Sequence, residues 1–82
     1  MDIDFSRYER DEERQRTEID FTARFTGPIP SRAGIIDAIA LVSGADPSCV
    51  VLDRLSPRAK KGEVRGRARV YDDAAARSAA ER

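Results

Sequence analysis

Arginine recurs at every second position in the stretch Glu63-Val64-Arg65-Gly66-Arg67-Ala68-Arg69-Val70-Tyr71. A two-residue period is typical of a half-buried β-strand, because successive side chains of a strand point to opposite faces of the sheet. We therefore predict a strand with a core face made of Val64, Gly66, Ala68 and Val70. Its opposite face carries a row of arginines about 7 Å apart, namely Arg65, Arg67 and Arg69.

The charge of the chain is concentrated around this strand. The formal net charge is zero, yet residues 54 to 69 sum to +6, whereas residues 1 to 30 sum to −3, residues 31 to 53 to −2 and residues 70 to 82 to −1. A localised positive segment attracts a polyanion whatever the total charge is. The alternative is that the arginines only form the polar outer face that any half-buried strand needs. The lack of acids between them argues against this alternative, because solubilising faces normally mix signs.

Three further segments have the pattern of strands. Residues 2 to 8 and residues 17 to 25 alternate between apolar and polar side chains, and residues 49 to 55 are rich in β-branched residues. Residues 8 to 16 are dense in charge and have no apolar stripe, so we interpret them as a solvated connection, part of which could form a helical turn. Residues 56 to 62, with a proline and two lysines, are predicted to form a mobile basic loop before the arginine strand.

Two helices are predicted from capping residues and helical spacing. Ser31 stands at the N-cap position of a helix that begins at Arg32, and Gly44 is positioned to end it. Apolar residues recur inside that helix at positions 35, 36, 39 and 42. Asp72 or Asp73 caps a second, alanine-rich helix over residues 74 to 80, which has too few large apolar groups to dock firmly.

The resulting order of elements is β-β-α-β-β-α, with helices packed on a small four-stranded antiparallel sheet. This is an α+β fold. The 82 residues form a single domain, with a core over residues 1 to 73 and a C-terminal helix over residues 74 to 82.

Composition argues against several classes of function. The chain has no histidine, so the usual general base and the commonest metal ligand are missing. No phosphate-cradling glycine loop is present, and the paired carboxylates lie in polar stretches that would not shift a pKa. Cys49 lies beside two valines and is interpreted as a small buried hydrophobe. We therefore expect no catalytic activity, no metal and no cofactor.

The setting is expected to be cytoplasmic. One cysteine excludes an intramolecular disulfide and fits a reducing compartment. No apolar run has the length of a membrane span, and the N-terminus is acidic rather than basic.

The candidate site is electrostatic. It combines the loop cations, the arginine row and the helix N-terminus at Ser31 and Arg32, where free N–H groups could hold one phosphate. Ser31 could equally serve only as the cap. Tyr71 is the only aromatic residue next to the arginines, so contacts with the backbone and shape of folded RNA fit better than base stacking. Arg54 is left out of this surface, because it lies on the preceding strand and need not face the same side.

Three motifs resemble a known family. They are Gly27-Pro28-Ile29-Pro30-Ser31-Arg32, then Gly44-Ala45-Asp46-Pro47 with Val50-Val51-Leu52, then Gly66-Arg67-Ala68-Arg69-Val70-Tyr71-Asp72. In this order and spacing they resemble the small-subunit ribosomal protein twenty-four family of archaea and eukaryotes. The similarity spans about residues 2 to 73, and the short length, without a basic C-terminal extension, looks like the archaeal form.

The resemblance implies a non-catalytic structural constituent of the small ribosomal subunit. Its partners would be ribosomal RNA and neighbouring ribosomal proteins, with no membrane and no small-molecule substrate, and the isolated chain is expected to be a monomer. The RNA-facing residues, carried over by position, would be Ser31, Arg32, Arg58, Lys60, Lys61, Arg65, Arg67 and Arg69. The alternative function is a protein-interaction module that uses the arginine face against an acidic protein partner.

Overall fold

The computed structural model of the protein describes residues 2–58 and 61–81, which form four strands, two α-helices and one short 3-10 helix. The strands are β1 (Asp2–Asp11), β2 (Arg16–Arg24), β3 (Val50–Arg58) and β4 (Glu63–Tyr71). The helices are α1 (Arg32–Ser43) and α2 (Ala74–Ala80), and the 3-10 helix is Pro47–Cys49. The predicted α+β fold and its β-β-α-β-β-α order are confirmed.

The arginine strand β4 is a central strand of the sheet. The strand order is β1-β2-β4-β3, and every neighbouring pair is antiparallel. β4 therefore pairs with β2 on one side and with β3 on the other. Because its backbone is paired on both sides from Glu63 to Val70, the positions of these β4 side chains are set by two registers at once.

One face of the sheet packs against α1 and forms the core. Alternate residues of β2 and β4 point into it, and α1 contributes one apolar stripe, so the packing follows the strand and helix periods of the sequence. We call this the inner face of the sheet. Its buried residues are Ile19, Phe21, Ala23, Ile35, Ile39, Ala40, Val50, Leu52, Val64, Ala68 and Val70.

The helix ends follow the predicted capping residues. The Ser31 hydroxyl accepts a hydrogen bond from the backbone N–H of Gly34 at 3.0 Å. Gly44 adopts the left-handed conformation, with φ of 72°, that glycine reaches at no steric cost. At the second helix the cap is Asp73, whose carboxylate accepts from the N–H of Ala76 at 2.7 Å.

The predicted connection over residues 8 to 16 is wrong for most of its length, because β1 continues to Asp11. The cause is a β-bulge at Ser6, between the pairs Phe5–Phe21 and Arg7–Asp20. One extra residue reverses the inward and outward alternation, so the apolar pattern breaks although the strand does not. Only residues 12 to 15 form the turn.

The predicted basic loop over residues 56 to 62 is also too long, because Ser56, Pro57 and Arg58 belong to β3. Proline has no N–H to give to a strand ladder, and is accommodated here because β3 is at the edge of the sheet. A second bulge lies between Leu52 and Arg54. It reverses which side chains point inward and outward in the second half of β3, relative to the first half. The strand also begins one residue later than predicted, with Cys49 in the 3-10 helix.

Candidate nucleic-acid interface

The three arginines of β4 lie on the face of the sheet opposite the core, as their spacing predicts. We call this the outer face. The Arg65 and Arg67 side chains are 54% and 50% exposed, whereas that of Arg69 is 19% exposed. The alternate residues Val64 and Ala68 of the same strand are buried on the inner face. The arginine row therefore exists, but its members differ in how far solvent or a ligand can reach them.

The outer face mixes positive and negative side chains, contrary to the expectation from β4 alone. Antiparallel pairing sets Asp20 of β2 opposite Arg67 and Glu18 opposite Arg69. The Asp20 carboxylate accepts from Arg67 Nε at 3.0 Å and from Arg7 Nε at 3.1 Å. The acids that separate the arginines thus come from a neighbouring strand. The sequence of β4 alone does not reveal them.

Arg69 is the most strongly engaged member of the row. Its guanidinium makes two hydrogen bonds to Glu81, at 3.0 and 3.1 Å, and lies 3.3 Å from a carboxylate oxygen of Asp53. Tyr71 also donates to Glu81. The hydrogen bond from Tyr71, followed by those from Arg69, lowers the pKa of Glu81, so this carboxylate is ionised near neutral pH.

This cluster attaches the C-terminal helix to the outer face. α2 buries none of its own residues, in keeping with its alanine-rich sequence. Its connections are polar: Glu81 follows it and binds Arg69, and Arg77 donates to the backbone carbonyl of Ser48. Arg69 therefore holds α2 in place and is not a free cation.

Arg65 is less constrained than its neighbours. The nearest carboxylate among the described residues is that of Glu63, with Arg65 Nε 3.5 Å from Glu63 Oε1. That separation is too long for a good hydrogen bond, and the same oxygen of Glu63 has no hydrogen-bond partner in the part of the chain that the structure describes. The Arg65 guanidinium is thus available for a stronger acceptor.

The end of the β3–β4 hairpin adds further positive charge. Arg58 pairs with Glu63 in the strand register, and both Arg58 and Lys61 are exposed. None of the ion pairs found within residues 2–58 and 61–81 involves either side chain. Lys60 was predicted as part of the same surface and lies outside the described residues.

Ser31 and Arg32 are on the other side of the sheet. They begin α1, which packs against the inner face, and Arg32 Nη2 donates to the backbone carbonyl of Leu52 at 3.4 Å. The structure therefore does not bring this helix N-terminus together with the arginine row. The observed role of Ser31 is the cap.

Arg54 is a cation that the sequence reasoning left out. After the bulge it is paired directly opposite Arg67, while Leu55 is paired with Gly66. Arg54 thereby joins the outer face, although the alternation of Val50 and Leu52 would point it inward. The signal was present in the spacing, because Leu52 and Leu55 are three residues apart rather than two and enclose the polar pair Asp53-Arg54.

Features of catalytic or metal sites are missing from the described residues. Within 2–58 and 61–81, no three histidine, cysteine or acidic side chains are grouped to hold a metal ion. A concavity of about 320 Å³ lies between the β1–β2 turn and α2, and its lining includes Glu13, Arg16 and Ala76. In the same part of the chain no helix is long and apolar enough to cross a membrane.

These observations define a class of protein, a small α+β domain with one core face and one charged sheet face whose exposed cations cluster near a hairpin. A family model described as ribosomal protein S24e matches residues 1–82. The chain therefore belongs to the ribosomal protein S24e family. This confirms the family that the sequence motifs resemble, and makes the chain a structural constituent of the small ribosomal subunit, acting in translation. A search of curated protein sequences found no significant match.

Proposed function

We propose that the protein binds ribosomal RNA through the hairpin half of its outer face, and so supports the assembled small subunit in the cytoplasm. The observation that carries this proposal is the grouping of exposed cations toward one end of the sheet: Arg65 and Arg67 of β4 lie on the outer face, and Arg58 and Lys61 are exposed at the hairpin end. Lys60 is included on sequence grounds. Arg69 contributes less directly, because Glu81 and Asp53 already neutralise it.

The form of the surface favours phosphate contacts over base recognition. The outward side chains of β4 are spaced about 7 Å apart on a nearly straight line, which suits a phosphodiester backbone. Arginine binds phosphate through two parallel N–H donors and keeps its charge at any physiological pH. If four to six of the basic groups contact phosphate, the logarithm of the binding constant should fall with the logarithm of salt concentration at a slope of roughly −3 to −5.

Neighbouring proteins of the small subunit are proposed as further partners, and the isolated chain is proposed to be a monomer without enzymatic activity. Ribosomal protein families are generally non-catalytic. The alternative, an interaction module that binds an acidic protein partner through the arginines, has no observation of its own in its favour.

Sedimentation with small subunits tests the proposal. The variant Arg65→Ser/Arg67→Ser removes two exposed cations without touching the Arg69–Glu81 contact that holds α2. Its matched control is Arg14→Ser/Arg32→Ser, which removes the same charge from the β1–β2 turn and from the start of α1, on the other side of the sheet. We expect the first variant to leave the small-subunit fraction at a lower salt concentration than the control.

Equal salt resistance of the two variants would show that the protein is recruited through its protein neighbours rather than through this face. Folding of both variants is checked by circular dichroism before sedimentation.

A further inference from the structure

A bulge on β3 creates a group of three arginines that no single strand contains. The register pairs Arg54 with Arg67 and Ser56 with Arg65, and these two cross-strand pairs are adjacent on the outer face. Directly opposed residues have Cβ atoms about 5 Å apart. Arg54, Arg65 and Arg67 are therefore neighbours in space, although they lie on two strands.

The three side chains surround a shallow concavity of about 180 Å³. At about 30 Å³ per water molecule, this space holds a few waters or one hydrated phosphate group. No aromatic side chain of the described part of the chain lines it, so it offers nothing there for a base to stack on. Its lining is formed by Asp20, Arg54, Ser56, Arg65, Gly66 and Arg67.

The charge of the concavity is unbalanced. Three guanidinium groups face one carboxylate, that of Asp20, and Asp20 also binds Arg7 outside the concavity. Like charges directly opposite each other on paired strands are destabilising, and no ion pair to Arg54 occurs among residues 2–58 and 61–81. An anion placed between Arg54 and Arg67 would be attracted to both guanidinium groups and would offset their mutual repulsion.

Arg67 is oriented for such an anion. Its Nε donates to Asp20 at 3.0 Å, and within residues 2–58 and 61–81 its two terminal nitrogens donate no hydrogen bond. A guanidinium held at Nε loses less conformational freedom when it binds a ligand, which increases affinity. Ser56 adds a hydroxyl that can donate to a phosphate oxygen.

We infer that Arg54, Arg65 and Arg67, with the Ser56 hydroxyl, form one pocket for a phosphodiester group of the RNA backbone. This rests on the proposed function and specifies a contact within it. The pocket binds a phosphate group whatever the base sequence of the RNA. Arg54 belongs to it because the bulge in β3 places this residue on the outer face.

The test measures binding of a 20-base-pair RNA duplex of mixed sequence over a range of salt concentrations, by fluorescence anisotropy. The variant is Arg54→Ser, and the matched control is Arg14→Ser, an exposed arginine of the β1–β2 turn. Arg54→Gln keeps part of the aliphatic side chain, and it is measured in place of Arg54→Ser if the serine variant is less stable. We expect Arg54→Ser and Arg54→Gln to reduce the salt slope by about one, Arg54→Lys to keep most of it, and Arg14→Ser to leave it unchanged.

The outcomes separate this pocket from the proposed function. If the wild-type protein does not bind the duplex, or binds it without salt dependence, the proposed function fails, because its phosphate contacts are then absent. If Arg65→Ser/Arg67→Ser reduces the slope but both Arg54 variants equal the Arg14 control, RNA binding stands and the pocket is refuted.

A second arm uses inorganic phosphate alone and follows the arginine Nε–H signals by NMR. Joint shifts of Arg54 and Arg67, lost in Arg54→Gln along with the change in RNA slope, support the pocket. Loss of the phosphate shifts with an unchanged RNA slope would assign the site to free phosphate instead.

Discussion

Of the five glycines, Gly66 is the one at which an added Cβ would make the shortest contact, and Gly66→Ala tests how the arginine strand is packed. Gly66 lies in the middle of β4, with the ring of Phe21 on one side and the bulge of β3 on the other. A Cβ built on Gly66 would lie 2.5 Å from the backbone carbonyl oxygen of Arg54, 2.7 Å from Phe21 Cζ and 2.9 Å from Phe21 Cε1. Neither neighbour is the free end of a flexible side chain.

The expected cost follows from these contacts. Overfilling a packed core costs about 1 to 3 kcal/mol, and a clash with both a backbone oxygen and a buried ring puts Gly66→Ala at the upper end. Alanine also loses less chain entropy on folding than glycine, which returns about 0.4 to 1 kcal/mol. We expect a net loss of about 2 kcal/mol in the free energy of unfolding, which for a domain of this size lowers Tm by about 8 to 16 °C.

Urea and thermal unfolding followed by circular dichroism measure this loss. Phe21→Leu in the Gly66→Ala background should recover part of it, because the smaller side chain removes the ring atoms that meet the new Cβ. The control is Gly34→Ala in α1, where the nearest contact of the added Cβ is the Ser31 hydroxyl at 3.3 Å and alanine favours the helix.

A Gly66→Ala protein as stable as the wild type, with an unchanged m-value, would refute the argument. It would mean that β3 and Phe21 move apart at little cost, and that the bulge does not hold Arg54 rigidly beside Arg67.

Three further predictions concern a cap, a carboxylate and the electrostatics of the outer face. Ser31→Ala should lower stability by about 1 kcal/mol and Ser31→Asp should retain it, as urea titration will show. The lowered pKa of Glu81 contributes stability above its ordinary value of 4.5 that is lost as the pH falls through the folded-state pKa. Glu81→Gln should therefore lower Tm near neutral pH and match the wild type in strong acid, and an equal difference at both pH values would contradict this. Asp20→Asn keeps an acceptor for Arg67 but removes a negative charge from the lining of the concavity. RNA affinity should therefore rise about threefold, the effect of one unit charge roughly 7 Å from a phosphate in water. Anisotropy titration at fixed salt measures it, and weaker binding would contradict the reasoning.

The local sequence pattern was sufficient to predict the structure of segments that keep a strand or helix period along their whole length. The alternation in β2 and β4 predicted which residues are buried on the inner face, and the capping residues located the start of both helices. Each of these signals depends on neighbours within a few positions of the chain. The family motifs lie in the same regular segments, which is why the resemblance and the family match agree.

The errors in strand length have two causes. The bulge at Ser6 disguised the second half of β1 as a connection, whereas the end of β3 was predicted as a loop because it contains Pro57 and precedes two lysines. A bulge reverses which side chains face the core. The two-residue alternation of apolar and polar residues is therefore interrupted at a bulge, although the strand pairing continues.

The sequence by itself determined the α+β fold, the inner and outer faces of β4 and the presence of a basic segment, because these follow from periodicity and charge along the chain. Only the tertiary structure decided which of the cations remain available. Strand pairing places Asp20 beside Arg67, and the C-terminal helix places Glu81 beside Arg69. The bulge in β3 places Arg54 on the outer face. Electrostatic energy depends on distance in space rather than on separation in sequence, so the binding face could be assigned only after the strands were placed side by side.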